Sequence, residues 1–281
     1  MRIVVLLKYV PDLTSERRFA DGRAVREAAE GVLNEIDENA VEAALQLIEA
    51  LPDEADRQAS EVIAVTMAPE GGDLAVKKAF QLGAGRGIRL ADEALVGSDY
   101  FGTTAALAAT IRRLGEDAPI DAVIAGMTAL DGLGSVVPAL LAEELGWPQL
   151  THATAVELSA DALALTITRE TDDVVARLSA PLPAVVSVSD AANTPRLANF
   201  KLIMAARKQP VEQWTVADIE PFFEESAVAG ADCLGVAGAR ASIVETAQRP
   251  PRPDVNVVKD AGDGQVAAAA IVDYLKGHDL V

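Results

Sequence analysis

The chain has 281 residues, half of them hydrophobic, and its 24 basic and 43 acidic residues give a formal net charge of −19. This length allows one large domain, alone or with a smaller companion, and the apolar content excludes global disorder. The excess of acidic residues argues against general binding to nucleic acids or anionic membranes, because their phosphates would be repelled. The single cysteine, Cys233, excludes an internal disulfide framework and is typical of a reducing compartment.

The amino terminus begins directly with a predicted strand. Its apolar run, Ile3 to Leu7, ends at Lys8 and is too short for the hydrophobic region of a secretory signal. No run elsewhere in the sequence approaches the roughly 20 apolar residues that a membrane span requires. We therefore expect a soluble, cytoplasmic protein.

Buried strands and amphipathic helices then alternate as far as residue 146. The predicted elements are strands at 2–8, 61–68, 86–90 and 121–125 and helices at 34–50, 72–82, 99–114 and 132–145. The polar stretch 9–33 is predicted to be a long loop. Three helices are expected to end at a glycine, at Gly83, Gly115 and Gly146. This alternation predicts an α/β protein with a mostly parallel sheet.

After Pro148 the pattern changes. Turn signals separate four further β segments, at 150–158, 163–170, 174–179 and 184–189. We interpret them as an antiparallel extension of the parallel sheet. A loop and a short helix follow, and the first domain is therefore predicted to span residues 1–210.

Residues 211–281 lack a sustained alternation of strands and helices and are predicted to form a C-terminal arm. Three aromatic side chains lie among acidic residues here and suggest apolar groups that need a partner surface: Trp214, Phe222 and Phe223. The Arg-Pro-Pro-Arg-Pro sequence at 249–253 predicts a rigid extended linker. A terminal helix is expected at about 264–276.

The main candidate site follows the strand 121–125 and opens the next predicted helix. It reads GMTALDGLGSVVP over residues 126–138, at the carboxyl end of a parallel strand, where open α/β sheets bind ligands. Gly132 and Gly134 would let the backbone approach a phosphate, and the helix start supplies oriented N–H groups. An ordinary βα turn explains these glycines equally well, because neither GxGxxG nor GxxxxGK[ST] is present.

A second candidate is formed by Asn34 and Asp37 at the start of the first helix. Asn34 could hydrogen-bond a ligand, although a simple helix N-cap is the better explanation from the local sequence alone. Four further residues are expected at the same edge of the sheet: Lys8, Tyr9, Met67 and Gly126. The convergence of three strand ends favours a nucleotide pocket.

No combination of acid, base and nucleophile stands out. Asp172 and Asp173 fall in a turn signal and are expected to be solvated, and Cys233 is expected to be a buried or incidental thiol. His152 begins a strand without an evident partner, and Ser135 lacks an evident base. We therefore expect neither a catalytic site nor a metal site.

The stretch 190–208, called here the docking stretch, is a local exception to the acidic charge. It holds four basic residues and one acid, Asp190, with apolar side chains between them. The residues that we expect to dock an acidic partner are Arg196, Leu197, Phe200, Lys201, Met204, Arg207 and Lys208. The alternative is a core-facing helix with a solvated basic side.

Four segments together resemble the β subunit of electron-transfer flavoproteins, the EtfB/FixA family. They are RIVVLLKYVPD, LNEIDENAVEAAL, GMTALDGLGSVVPALLAEELGWPQLT and VVSVSDAANTPRLANFKLIMAARK, and they cover about residues 1–210. The resemblance implies a nucleotide-binding domain of the adenine nucleotide α-hydrolase-like fold, followed by an arm that embraces an α subunit. It also implies a heterodimer with one FAD, held mostly by the α subunit, and a structural AMP in the β subunit.

The resemblance also implies which residues hold AMP. They are Leu6, Asn34, Glu35, Ile36, Asp37, Met67, Gly126, Met127, Thr128, Ala129, Leu130, Asp131, Gly132, Leu133, Gly134, Ser135, Val136 and Val137. Many relatives read GxQAxDGDTxQVGP at this point. Asp131 and Gly132 are retained here, and we expect the other contacts to phosphate to be rearranged.

The docking stretch corresponds to the family's recognition loop, which anchors acyl-CoA and related dehydrogenases. The resemblance thus implies an electron carrier, not an enzyme, that passes electrons from those dehydrogenases through FAD to a membrane quinone oxidoreductase, as in fatty acid oxidation. Three alternatives stay open. They are an electron-bifurcating subunit with a second FAD in place of AMP, a stand-alone adenine-nucleotide-binding enzyme or sensor, and a structural assembly subunit without nucleotide.

Overall fold

The computed structural model describes residues 1–12, 18–20, 23–25, 31–224, 228–247, 250, 257–260, 262 and 264–281. These residues form two compact units, Met1–Val244 and Glu245–Val281. The first unit is built on a seven-stranded sheet in which all neighbouring strands are parallel. In spatial order its strands are Glu212–Trp214, Arg86–Leu90, Glu61–Met67, Arg2–Leu7, Ala122–Gly126, Ala184–Val188 and Gln149–Ala153. The predicted α/β architecture with a parallel sheet is confirmed.

The central strand, Arg2–Leu7, shows why helices cover both faces of this sheet. Its apolar side chains alternate between two buried cores, with Ile3, Val5 and Leu7 in one and Val4 and Leu6 in the other. Each fully buried side chain of this size contributes roughly 1.5–3 kcal/mol of transfer free energy. A continuous apolar strand is therefore stable only between two layers of helices.

The helices lie in these two layers. Glu35–Glu49 and Asp73–Leu82 supply buried residues to one core, and Tyr100–Asp117 and Val137–Leu145 supply them to the other. The shorter helices are Glu54–Gln58, Phe200–Ala206, Val216–Ile219 and Gly235–Gly238. Single 3₁₀ turns lie at Glu70–Gly72, Glu93–Leu95, Asp190–Ala192, Glu220–Phe222 and Ala231–Cys233.

Glycines end two of the helices as predicted. Gly83 and Gly146 take positive φ angles of 130° and 64° just beyond their helices, a conformation that favours glycine. The expectation that Gly115 ends a third helix is wrong, because that helix continues to Asp117. A Cβ at Gly115 would have no neighbouring atom within 4 Å, so this exposed position in the helix does not require glycine.

The helix expected at 132–145 begins later than predicted. Its first residue is Val137, because Leu133 and Ser135 adopt left-handed backbone with φ angles of 50° and 54°. The glycines of the candidate motif therefore lie in a loop ahead of the helix.

The stretch 9–33, predicted to be a loop, contains two short antiparallel pairs. Tyr9–Pro11 pairs with Gly31–Leu33, and Phe19–Ala20 pairs with Arg23–Ala24. Strands of two or three residues are too short to produce a recognisable alternation of apolar residues, which explains why the sequence did not indicate them.

The predicted antiparallel extension is confirmed in part. A three-stranded antiparallel sheet is formed by Ala155–Leu158, Ala164–Glu170 and Val175–Pro181. The first predicted segment, 150–158, is divided, since its first half belongs to the parallel-sheet strand Gln149–Ala153. The last predicted segment contributes the strand Ala184–Val188 to the parallel sheet. Within the strand Gln149–Ala153, His152 takes a positive φ angle of 60° and its N–H donates to Ser187 Oγ at 2.9 Å, where the register with Ala184–Val188 shifts.

The first unit extends past the predicted boundary at residue 210. Glu212–Trp214 is an edge strand of the main sheet, and Trp214 is only 7% exposed. The Arg113 guanidinium lies 3.9 Å from the centre of its ring. Phe222 and Phe223 pack partly against the same core. The expectation that these aromatic side chains need a partner surface is therefore wrong.

The second unit carries the helix Gln265–Gly277, close to its predicted position. The Asp260 carboxylate accepts hydrogen bonds from the N–H groups of Gly262, Gly264 and Ala267 at 2.8–3.2 Å and so orders the start of this helix. None of the helical residues is buried within the chain. Of the predicted linker at 249–253, all but Pro250 lies outside the described residues.

Candidate functional site

The strand order creates a switch point between Arg2–Leu7 and Ala122–Gly126. From the first strand the chain proceeds to Glu61–Met67 on one side, and it later crosses to Ala122–Gly126 on the other. Connections that diverge in this way open a crevice at the carboxyl ends of the strands, where α/β sheets bind ligands. Lys8 directly follows the first of these strands and Gly126 ends the second, so both lie at this edge, where the backbone of each bonds to Asp37.

Asn34 fastens the site loop, defined here as residues 127–136. Its Nδ2 donates to the carbonyl of Thr128 at 3.0 Å, and its Oδ1 accepts from the N–H of Leu130 at 3.0 Å. Asn34 occupies the N-cap position of its helix, but its side chain makes no capping bond. The N-cap explanation of this side chain is therefore wrong, because its hydrogen bonds go to the site loop and to the Asp37 side chain and not to the backbone N–H groups of the helix.

Asp37 joins three segments at the same edge. Its carboxylate accepts from the N–H of Lys8 at 2.7 Å and from Asn34 Nδ2 at 2.8 Å, and the residue is 4% exposed. Burial raises the pKa of Asp37 to about 7, while donors from Asn34, Lys8 and Gly126 oppose that rise. A Cβ at Gly126 would lie 2.4 Å from Asp37 Oδ1, so only glycine fits there.

Lys8 brings a positive charge to the site. Its Nζ lies 2.8 Å from Oδ1 of Asp131, whose side chain is 4% exposed, whereas the lysine side chain is 45% exposed. A lysine ammonium has three N–H donors, so this ion pair leaves capacity for a second anion. Tyr9, the other residue expected here, is instead buried, and its hydroxyl accepts from the N–H of Gly31 at 3.0 Å.

In the site loop, the unusual backbone conformations fall on the residues beside the two glycines and not on the glycines themselves. Gly132 and Gly134 have negative φ angles, and the nearest atoms to a Cβ at either position are 4.0 Å away. Leu133 and Ser135 take the positive φ angles instead. Strained non-glycine residues of this kind are concentrated at ligand sites. Alternating negative and positive φ angles are also the backbone pattern of anion-binding nests.

Two buried hydroxyls among the described residues lack a hydrogen-bond partner, those of Thr66 and Thr128. Thr128 lies in the site loop, and Thr66 lies opposite Leu7 at the end of the neighbouring strand. An unsatisfied buried polar atom costs about 1–3 kcal/mol, so its position indicates where a polar ligand atom would be stabilising. Sequence reasoning missed Thr66, although a polar residue ending an apolar strand was the available signal.

The structure brings the other predicted pocket residues to the same edge. Leu6 is buried beneath it, and Met67 ends the adjoining strand half-buried. The remaining members lie on the first helical turn or in the site loop and are half-buried or exposed: Glu35, Ile36, Met127, Ala129, Val136 and Val137. Their role in holding a nucleotide stays a prediction.

The docking stretch presents a row of exposed apolar side chains. Leu197 is 94% exposed, Phe200 is 78% exposed and Met204 is 39% exposed. Three basic side chains lie exposed among them, those of Lys201, Arg207 and Lys208. Leu202 and Ile203 are half-buried and Ala206 belongs to the core, so this stretch packs on the core through one side and presents Leu197, Phe200 and Met204 to solvent on the other. Partner docking on this surface stays a prediction.

Arg196 differs from the other basic residues of this stretch. Its guanidinium bonds to the carboxylates of Glu42 and Glu49 at 2.7–3.2 Å, and its backbone N–H donates to Glu42 Oε2 at 3.1 Å. Burial opposes the effect, but the hydrogen bonds from Arg196 hold the pKa of Glu42 below its usual range. The charge of Arg196 is thus satisfied within the chain.

Cys233 and the pair Asp172 and Asp173 have the burial that the sequence predicted. Cys233 is fully buried, and Asp172 and Asp173 are exposed in a turn. Within the part of the chain that is described, no group of three or more His, Cys, Asp or Glu side chains could hold a metal ion. No helix in that part is both long and apolar enough to cross a membrane.

The fold defines an α/β protein with a parallel sheet, and the candidate site lies at the switch point of that sheet. A family model described as "Electron transfer flavoprotein domain" matches residues 22–219. The chain is 41% identical over 281 residues to "Electron transfer flavoprotein subunit beta" of Mycobacterium leprae, and the match covers 99% of both chains. The chain therefore belongs to the electron transfer flavoprotein family, among its β subunits.

More distant relatives match a shorter part of the chain. "Electron transfer flavoprotein subunit beta" of Clostridium acetobutylicum is 33% identical over 222 residues, which is 78% of this chain and 80% of the relative. "Caffeyl-CoA reductase-Etf complex subunit CarD" of Acetobacterium woodii is 32% identical over 221 residues, with the same coverage of 78% and 80%.

Proposed function

We propose that this chain is the β subunit of a heterodimeric electron-transfer flavoprotein of the cytoplasm. It would carry electrons from acyl-CoA and related dehydrogenases, by way of an FAD shared with an α subunit, to a membrane quinone oxidoreductase. Membership of the family supports the role of carrier. In such a protein the flavin supplies the redox chemistry, and the chain supplies binding, orientation and docking surfaces.

A structural AMP at the switch point is the first part of this proposal. The observation that carries it is the unsatisfied, buried hydroxyl of Thr128 in a loop that Asn34 holds in place. The Lys8 ammonium and the strained backbone around Leu133 and Ser135 fit an anionic group beside that hydroxyl. These residues would bind the phosphate and ribose, and the nucleotide would serve as part of the folded structure.

The α subunit is the second part of the proposal. The helix Gln265–Gly277 exposes several large apolar side chains, among them Val266, Ile271 and Tyr274, which are 50%, 60% and 61% exposed. Exposed apolar groups along one helix are typical of a surface that another chain covers. We propose that the predicted arm, 211–281, contacts the α subunit through this helix.

The third part concerns the donor dehydrogenases, which we propose bind the docking stretch. Leu197 and Phe200 provide exposed apolar anchors, and Lys201, Arg207 and Lys208 surround them with positive charge. In a chain with a net charge of −19, such a patch selects an acidic partner surface.

The nucleotide content of the purified complex tests this function. The chain is produced together with the α subunit of its own organism, the complex is denatured, and the released nucleotides are separated and counted. One FAD and one AMP per heterodimer is the expected result. Release of two FAD per heterodimer would instead support the electron-bifurcating alternative. A colourless homodimer that hydrolyses ATP would overturn the proposal.

Gly132→Trp tests where the nucleotide binds. A side chain at position 132 has open space in the folded chain, so the variant should fold but lose most of its AMP. Gly115→Trp is the matched control, because its helix position is equally open and lies outside the pocket. Full AMP content in Gly132→Trp would contradict the assigned pocket.

A further inference from the structure

Arg196 lies within the docking stretch but is bonded to the first long helix. Glu42 accepts from its Nε at 2.7 Å and from its NH2 nitrogen at 3.1 Å, while Glu49, two helical turns on, accepts from its NH1 nitrogen at 2.8 Å. One guanidinium therefore spans two carboxylates on the same helix face. Bidentate pairing of this kind fixes direction as well as distance.

The Glu42 side chain is 6% exposed, which distinguishes this contact from an ordinary surface ion pair. A buried carboxylate that lost its partner would carry a large desolvation cost. Glu42 also accepts from the backbone N–H of Arg196 at 3.1 Å, so it holds the main chain and not just the side chain. The position of the backbone at residue 196 is thus tied to the helix.

A second contact holds the same stretch three residues earlier. Asn39 Nδ2 donates to the carbonyl of Asn193 at 2.9 Å, and Asn193 Nδ2 donates to the carbonyl of Asn39 at 3.0 Å. The chain is therefore fastened at 193 and at 196, directly before Leu197 projects into solvent with 94% of its surface exposed. A free loop would have to be ordered when a partner binds, and that loss of conformational entropy would weaken binding.

We propose that Arg196 is a positioning residue, which holds the docking stretch on the helix Glu35–Glu49 so that Leu197 and Phe200 are presented in a fixed arrangement. Its charge is not offered to the partner. This inference rests on the proposed function, because it takes the docking stretch to be the surface that binds the donor dehydrogenase. Leu197 and Phe200 would make the apolar contacts, and Arg196 would support them from within the chain. It separates Arg196 from Arg207 and Lys208, whose charges face solvent.

Hydrogen exchange in the purified heterodimer tests the internal support without any donor enzyme. Arg196→Gln and Glu42→Gln should each speed amide exchange in the peptide covering 190–200 by about tenfold, and the double variant should exchange no faster than either single one. Arg207→Gln is the matched control and should leave this exchange unchanged. Unchanged exchange in Glu42→Gln would overturn the proposal.

The kinetics of flavin reduction by a reduced acyl-CoA dehydrogenase test the consequence for docking. Arg196→Gln and Glu42→Gln should both raise the KM for the flavoprotein by about tenfold, with an unchanged dependence on ionic strength. Reversal of Arg207 and Lys208 to Glu should instead weaken that dependence. A weaker salt dependence in Arg196→Gln, together with unaltered kinetics in Glu42→Gln, would make Arg196 a direct contact and overturn the proposal.

A conservative variant keeps the test informative if Arg196→Gln folds poorly. Arg196→Lys retains the charge, but its ammonium lacks the planar, forked set of donors with which the guanidinium bridges the two carboxylates. It should therefore show the faster exchange and the raised KM, whereas a purely electrostatic contact would be rescued by lysine. If no dehydrogenase reduces the flavoprotein, the proposed function fails, while the exchange experiment still decides the role of Arg196.

Discussion

Asn34 donates a hydrogen bond to the carbonyl of Thr128, 94 residues away in sequence and 3.0 Å away in space. The same side chain accepts from the N–H of Leu130, so one amide satisfies both a donor and an acceptor of the site loop. Because Asn34 is itself almost fully buried, this side chain is a rigid support for the site loop, in addition to the ion pair of Asp131 with Lys8.

Replacing Asn34 with alanine should release the site loop. The change leaves the Leu130 N–H and the Thr128 carbonyl without their partner, and we expect a loss of about 1–3 kcal/mol in the free energy of unfolding. The nucleotide content of the purified heterodimer should fall as well. Asn199→Ala is a suitable control, because it removes a capping bond to Leu202 in the docking stretch and should leave the nucleotide in place.

Asp37 should make the stability of the chain depend on pH. Its pKa of about 7 lies above the usual 3.8, so the folded chain holds a proton between these values that the unfolded chain has released. The resulting stabilisation is complete below the unfolded pKa and is lost as the pH rises through about 7. Asp37→Asn should remove this dependence.

Urea unfolding over that pH range gives the measurement for Asp37. The free energy of unfolding of the parent chain should fall relative to that of Asp37→Asn as the pH rises towards about 7, and the two should run parallel above it. Asp172→Asn, an exposed carboxylate, serves as the control. A constant difference between the parent and Asp37→Asn throughout would be inconsistent with the assigned pKa.

Replacement by alanine should lower the stability of the chain at Gly126 but not at Gly132. In Gly126→Ala the new Cβ would meet Asp37 Oδ1 at 2.4 Å and the backbone carbon of Ile36 at 3.2 Å, so we expect destabilisation of about 1–3 kcal/mol. Gly132→Ala has its nearest neighbour, Lys8 Nζ, at 4.0 Å and should retain the parent stability. Thermal unfolding of both variants checks this, and equal melting temperatures would contradict the close approach at Gly126.

The apolar anchors of the docking stretch should matter for partners and not for folding. Leu197→Ala and Phe200→Ala should each raise the KM for the flavoprotein in dehydrogenase assays by about tenfold, because exposed anchors contribute chiefly on binding. The free energy of unfolding should stay within about 0.5 kcal/mol of the parent. Val244→Ala, at a valine that is 96% exposed, is the matched control and should change neither quantity.

Trp214 should be essential to the stability of the first unit. Its ring is 7% exposed beneath the Arg113 guanidinium, so Trp214→Ala should reduce the free energy of unfolding by about 3–5 kcal/mol. Phe200→Ala removes an aromatic side chain of similar size that is 78% exposed and should have little effect. Equal urea midpoints for the two variants would contradict a core role for Trp214 and favour the original expectation that it needs a partner surface.

Much of the fold could be predicted from the sequence because its signals are local. The buried strand Arg2–Leu7 is a continuous apolar run, and Gly83 and Gly146 mark helix ends by a backbone conformation that glycine favours. The late start of the helix at Val137 was not predictable in this way, because it depends on left-handed backbone at Leu133 and Ser135, which those residue types do not indicate.

At the candidate site, the sequence indicates where single residues stand but not the contacts between them. Asn34 and Asp37 stand at the start of the first long helix as expected, yet the bond from Asn34 to Thr128 joins residues 94 apart and has no local signature. Arg196 shows the same limit, since its ion pair with Glu42 spans 154 residues. The basic character of the docking stretch was readable in the sequence, but which of its charges face outward was decided by tertiary contacts.

The helix Glu35–Glu49 supports two surfaces at once, since Asp37 accepts from the backbone of Lys8 beside the crevice and Glu42 accepts from Arg196 of the docking stretch. If the proposed nucleotide and partner sites are right, a random screen for altered partner choice should therefore also recover mutations in this helix whose primary defect is loss of the nucleotide. Engineering of a new partner preference is best confined to Leu197 and Phe200, which can be exchanged without disturbing the structure that supports them.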